Sequence, residues 1–172
     1  MDDKRRAILA EIPRLRRYAR ALLRDREAAD DLVQDSLERA LSRLDNWRSG
    51  DSPQRWLFTI MHNLFIDQKR RVVRRQEVLP LSQDVADSIV SPPTQFESVV
   101  SREVFEALQA IVPERREALL LVAVEGLTYA EAAVVLGIPT GTVMSRIARA
   151  REELRASLDD AARRRTIRVV EK

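Results

Sequence analysis

Cysteine is absent from these 172 residues, and histidine occurs once, at position 62. Without a thiol there is no disulfide and no thiolate metal site, which fits a reducing cytosol. Without a second histidine, His62 makes a poor metal ligand and is expected at the surface or facing a nucleic acid. Glycine is limited to four residues and aromatics to 5% of the chain, too few for the turns and strand pairs of a sandwich or barrel. No apolar run approaches the ~18 residues of a membrane span. The opening "MDDKRRAILAEIP" lacks the long apolar core of a signal peptide. The expectation is an all-α cytoplasmic protein with no direct membrane insertion. No nucleophile and base stand paired, and there is neither a glycine-rich phosphate loop nor a paired-carboxylate site, so no enzyme activity and no cofactor are expected.

Charge is plentiful, at 33% of residues, but the net value is only +3. Its distribution says more than its sum. Residues 55–75 carry six basic side chains and one acidic, whereas residues 76–112 carry one basic and six acidic. Positive charge is thus gathered in one helix-length stretch and followed by a negative one, a pattern that points to a polyanion partner.

Apolar spacing predicts the elements. Ile12-Pro13 reads as the first turn of a helix carrying Leu15, Ala19, Leu22 and Leu23. Asp25 can cap a second helix, with Leu32, Val33, Leu37, Ala40, Leu41 and Leu44 on one face and Asp30, Asp31, Gln34, Asp35 and Glu38 on the other. "NWRSGDSP" is a turn; Ser52 and Pro53 then start a third helix to about Arg75. Its apolar face is Trp56, Leu57, Ile60, Met61, Leu64 and Phe65. Periodicity lapses over 76–95, an acidic linker, and resumes from Phe96. The expected organisation is a three-helix domain over 1–75, a linker over 76–95, a second helical domain over 96–160 and a loose basic tail over 161–172.

The stretch "TYAEAAVVLGIPTGTVMSRIARARE", Thr128 to Glu152, is the most specific in the chain. Thr128 and Glu131 have the spacing of a capping box, so a helix starts at Tyr129. Gly137 supplies the left-handed turn that ends it, Ile138 packs inward, and Thr140 can cap the next helix. Small Ala133 allows close approach while Val143 and Ile147 face the bundle. These are the steric requirements of a helix-turn-helix. Thr140, Thr142, Met144, Ser145, Arg146, Arg149 and Arg151 then become candidates to meet duplex DNA, since arginine bonds phosphate or reads guanine with two donors. A helical hairpin with a solvated basic face fits the same pattern.

Together these residues resemble the bacterial RNA-polymerase sigma factors of the extracytoplasmic-function class. "DREAADDLVQDSLERAL" is similar to region 2.2 of that family, "RWLFTIMHNLFIDQKRR" to regions 2.3 and 2.4, and "LTYAEAAVVLGIPTGTVMSRIARAREEL" to region 4.2. The resemblance implies a two-domain factor that binds core RNA polymerase and recognises and melts promoter DNA. It places Asp31, Leu32, Gln34, Asp35 and Glu38 on the clamp coiled coil of the β′ subunit, with the β subunit as a further contact. An acidic face suits such a basic partner, although a solvated face has the same composition. It places the helix-turn-helix on the −35 element, where Met144 stands in place of the Lys or Arg of many relatives.

The −10 element is expected at Asn46, Trp47, Arg48, Asn63, Lys69, Arg70, Arg71 and Arg74, within a loop spanning 46–52 and the helix after it. Asn63 can read a base edge with donor and acceptor, and the cations can neutralise phosphates. Trp56 is assigned to the core rather than to base stacking. Family members are usually sequestered by an anti-sigma factor, which is therefore an expected partner. The acidic linker, through Asp84 and Asp87, is expected to mimic nucleic acid in the RNA-exit path. The rival readings are a free-standing helix-turn-helix regulator acting without polymerase, and a helical adaptor that meets only proteins.

Overall fold

The computed structural model describes residues 2–48, 50–78 and 99–170, with side chains over 3–48, 50–74 and 102–164. Among the described residues every regular element is helical. Helix α1 spans Asp2–Leu22 and buries Ile8, Leu15, Tyr18, Ala19 and Leu22 along one stripe. It begins ten residues before the expected start, and Pro13 lies inside it. Proline there withholds the N–H that Leu9 O would accept, but Leu9 and Pro13 both face solvent, where water replaces the lost donor.

Helix α2 spans Arg26–Ser42 and is capped by Asp25, whose carboxylate accepts from Glu27 N at 2.9 Å. Its buried face is Ala29, Leu32, Val33, Ser36 and Ala40; Leu41, expected on that face, is 49% exposed. A 3-10 turn over Leu44–Asn46 leads to α3, Pro53–Val78. Ser52 Oγ accepts from Arg55 N at 3.3 Å, so the serine caps and the proline takes the first turn as expected. Leu57, Phe58, Met61 and Phe65 are buried, while Trp56, Ile60 and Leu64 pack around them. The helix outlasts its expected end at Arg75 by three residues.

Helix α4 covers Val99–Ala110, α5 Pro113–Ala123, α6 Tyr129–Leu136 and α7 Thr140–Val170. The tail expected to be loose is a continuation of α7 through Val170. Residues 79–95 of the expected linker, with Asp84 and Asp87, lie outside the described residues, as do Phe96 of the expected second domain, Ser49 of the loop and the Arg75 side chain.

Helices α1, α2 and α3 pack on one another, and α5 and α7 with α4 and α6 form a second group. The two groups also meet: α6 lies on α3, and α1 lies on α4 and α5. One apolar cluster runs from Ile8 to Ala150 through both groups. The domains are therefore closed upon each other, which the sequence had left open.

Candidate nucleic-acid and polymerase surfaces

The corner between α6 and α7 is built by local chemistry. Thr128 Oγ1 accepts from Glu131 N at 3.2 Å, and Thr128 N donates to Glu131 Oε2 at 2.9 Å, completing the capping box. The Thr128 hydroxyl also donates to Glu131 Oε2 at 2.8 Å, and the backbone N–H of Thr128 first and this hydroxyl second hold the Glu131 carboxyl below its ordinary value. At the other end Gly137 has φ 63° and ψ 32°, and Gly137 N donates to Val134 O while Ile138 N donates to Ala133 O. This is a Schellman turn, and its left-handed position is where glycine is favoured. Helix α7 includes Thr140 itself; Pro139 O takes the first bonds, from Thr142 N and Val143 N, so the cap lies one residue earlier than expected.

Val143, Ile147 and Ala150 are buried, which fixes the rotation of α7. Thr140, Met144, Ser145, Arg149 and Arg151 are consequently exposed, and Thr142 and Arg146 partly so. Ser145 Oγ donates to Thr142 O at 3.0 Å. Met144, 51% exposed, puts an apolar side chain in the middle of that face.

On α3 the cations fall into two sets. Arg70, Arg71 and Arg74 are exposed, as are Asn46, Arg48 and Asn63. Lys69 is engaged instead, its Nζ donating to Glu114 Oε1 of α5 at 2.6 Å. Trp47, expected to meet DNA, is only 7% exposed. Its ring stacks on Trp56 at 5.8 Å, its Nε1 donates to Asp51 O at 3.2 Å, and Lys4 Nζ donates to its carbonyl at 2.6 Å. Trp47 thus props the loop, and Trp56 is the less buried of the pair. His62 is also not at the surface: its side chain is 14% exposed and Nδ1 lies 2.6 Å from Glu117 Oε1.

On α2, Asp31, Gln34, Asp35 and Glu38 are exposed and share one side, with Gln34 Nε2 donating to Glu38 Oε1 at 3.0 Å. Leu32, which the resemblance placed among the clamp-docking residues, is at 0% exposure and packs toward α1 and α3 with Ala29 and Val33, as its apolar spacing predicted.

The seam between the domains holds charged groups that sequence reasoning missed. Arg17 grips Glu125 with two bonds, Nε to Oε1 at 3.1 Å and Nη2 to Oε2 at 2.9 Å, and Gln54 Nε2 donates to Glu125 O at 2.8 Å. Burial pushes the Glu125 carboxyl above its ordinary value, against the lowering pull of Arg17. Glu117, buried, takes His62 and the hydroxyl of Tyr18, which burial and then Glu117 drive well above its ordinary pKa. Arg116, also buried, donates to Leu22 O at 2.6 Å and to Ile111 O at 2.9 Å, capping the ends of α1 and α4 together. Gln109 Nε2 reaches Ala21 O at 3.0 Å. Glu114 is held below the usual carboxylate range by the Lys69 bond first and its own backbone N–H second, with Lys69 and Arg146 adding field.

Two family models match: one described as the Sigma2 domain of PhyR over residues 8–62, the other as Sigma-70, region 4, over residues 101–154. The ECF RNA polymerase sigma factor EcfG of Rhodopseudomonas palustris (strain TIE-1) is 40% identical over 157 residues, covering 91% of this chain and 86% of that protein. The chain belongs to the ECF RNA polymerase sigma factors. As a sigma factor it directs RNA polymerase and is not itself an enzyme. The ECF sigma factor SigC of Mycobacterium tuberculosis (strain CDC 1551 / Oshkosh) is 34% identical over 142 residues, covering 81% of this sigma factor and 75% of SigC. Among solved structures, the sigma factor RpoE in complex with the anti-sigma factor NepR from Bartonella quintana superposes with a TM-score of 0.83 at 32% identity, over 92% of this chain and 98% of that one. CnrH in complex with the cytosolic domain of CnrY gives 0.65 at 27%, over 91% and 88%. Among the described residues no helix is long and apolar enough to cross a membrane.

Proposed function

We propose that this sigma factor reads promoters with two separate surfaces while seated on core polymerase through a third. The exposed side of α7, Thr140, Thr142, Met144, Ser145, Arg146, Arg149 and Arg151, meets −35 duplex. The loop residues Asn46 and Arg48, with Asn63, Lys69, Arg70, Arg71 and Arg74 of α3, meet the −10 element. Asp31, Gln34, Asp35 and Glu38 of α2 dock on the β′ clamp coiled coil, and the factor works in the cytoplasm where polymerase is. The observation that carries this reading is the pair of exposed basic helix faces, on α3 and α7, placed apart from an acidic face on α2 within one ECF chain. Tethering the two DNA contacts makes the second effectively intramolecular, so each domain alone binds weakly.

An anti-sigma factor is the natural regulator, since the similar RpoE structure holds the anti-sigma factor NepR. The test is reconstitution with core polymerase and run-off transcription from promoters mapped by start-site sequencing after overexpression. Charge reversal at Asp31, Asp35 and Glu38 should abolish holoenzyme formation and transcription together. Arg149→Ala should weaken −35-dependent transcription by roughly tenfold, the loss of one good arginine contact. Unchanged promoter-directed synthesis in the charge-reversed variant refutes the docking surface; sequence-specific binding of duplex DNA without polymerase favours a free-standing regulator.

A further inference from the structure

Lys69 belongs to the −10 surface proposed above, yet in the closed chain its ammonium is taken by a carboxylate of the other domain. Glu114 stands in the first turn of α5 and accepts from Lys69 Nζ at 2.6 Å, with side-chain exposures of 37% for the lysine and 47% for the glutamate. Arg146, from the −35 face of α7, lies near enough to lower the same carboxyl further. One anion therefore bonds a cation of the −10 helix and lies in the field of one from the −35 helix. A carboxylate and a phosphate compete for an ammonium by the same charge-assisted hydrogen bond.

We propose that Glu114 is an internal stand-in for promoter phosphate: closure seats it on Lys69, and DNA must displace it before the −10 surface is complete. The proposal rests on the promoter-reading function above and adds a residue to its control. Geometry supports displacement. The −35 and −10 elements are centred about 25 base pairs apart, on the order of 80 Å along B-DNA at 3.4 Å per pair. Lys69 on the −10 helix and Glu114 in the domain of the −35 helix cannot stay in contact across that distance, so the bond breaks when both elements are held. Half-exposed partners make the exchange accessible, because solvent reaches the pair and a polyanion can approach it.

The test needs no polymerase, so its outcome is separate from that of the transcription assay. Binding of fluorescein-labelled dT20 to the full chain is measured by anisotropy from low to moderate salt. Glu114→Gln should tighten binding by roughly threefold to tenfold and steepen the log K against log salt slope by about 0.7, one additional phosphate contact on a single strand. Glu114→Asp, which keeps the charge at the helix start but shortens its reach, should shift binding in the same direction, covering a folding defect in the first variant. Glu27→Gln, removing an exposed charge on α2, sets the effect of net charge alone. In a Lys69→Gln background the gain from Glu114→Gln should vanish. A gain no larger than that of Glu27→Gln, an equal gain with and without Lys69, or no measurable oligonucleotide binding by any variant overturns the proposal.

Discussion

Gly137→Ala isolates the conformational price of the helix-turn-helix corner, because the structure separates backbone strain from crowding. A Cβ built at Gly137 meets nothing within 4 Å, yet φ is +63°. The whole cost must then come from placing an L-residue in the left-handed region, about 1–2 kcal/mol. Against it stands about 0.4–1 kcal/mol regained because alanine has less freedom to lose from the unfolded chain. The net is a destabilisation of about 1 kcal/mol, which for a chain of this length lowers Tm by roughly 2–4 °C. Asparagine, whose short polar side chain tolerates this region, should cost less than alanine, and valine more. Thermal and urea unfolding followed by far-ultraviolet circular dichroism measure the series. If alanine costs more than about 3 kcal/mol, the Cβ is meeting atoms that the open corner lacks, and the reasoning fails. It fails equally if asparagine proves worse than alanine.

Two further outcomes follow from the seam. Arg116→Ala removes the donor shared by Leu22 O and Ile111 O, leaving buried acceptors unpaired at the ends of α1 and α4; urea unfolding should show a loss of about 2–4 kcal/mol, and a loss under about 1 refutes the shared cap. Glu114 titrates below its ordinary value, so its contribution is present above the unfolded pKa and lost as pH falls through the lowered folded one. Any Tm advantage of wild type over Glu114→Gln should therefore be largest near neutrality and shrink as pH falls through the lowered folded value, and an advantage that does not change with acidification counts against the Lys69 bond. Glu125, raised by burial, works with the opposite sign: the penalty for its charge is full above the raised pKa and relieved as pH falls through it.

What the sequence made legible was local. Thr128 with Glu131, Gly137, Asp25, and Ser52 before Pro53 each act within a few residues, so the elements they start or stop follow from composition at fixed offsets. The rotation of α7 was equally legible, since Val143 and Ile147 form a helical stripe and the arginines fall opposite. Errors arose where a distant partner decides. Trp47 looked like a loop residue free to meet a base, but Lys4, 43 residues earlier and on a turn of α1 that the Pro13 signal had hidden, bonds its carbonyl. His62 looked solvent-facing because its acceptor, Glu117, is 55 residues away. Leu32 was placed on the apolar face by its spacing and on the clamp surface by the resemblance, and its burial agrees with the spacing.

Arg17, Glu114, Arg116, Glu117 and Glu125 carried no periodic signal because polar pairs across a domain seam obey neither the 3.6-residue stripe nor a capping offset. Their chemistry nonetheless bears on how the two domains work. Arg17 and Glu125 are 108 residues apart, and the carboxylate is fully buried while the guanidinium remains 53% exposed. Taking such a carboxylate from water costs much of what its partner returns, so a pair of this kind fixes geometry more than it adds net stability. Opening the seam exchanges these bonds for water but also divides the one apolar cluster that runs through both groups, so closure rests on apolar contact as well as on the pairs. The proposed holding of two promoter elements at once would therefore have to offset the apolar area exposed along the seam as well as the loss of these pairs.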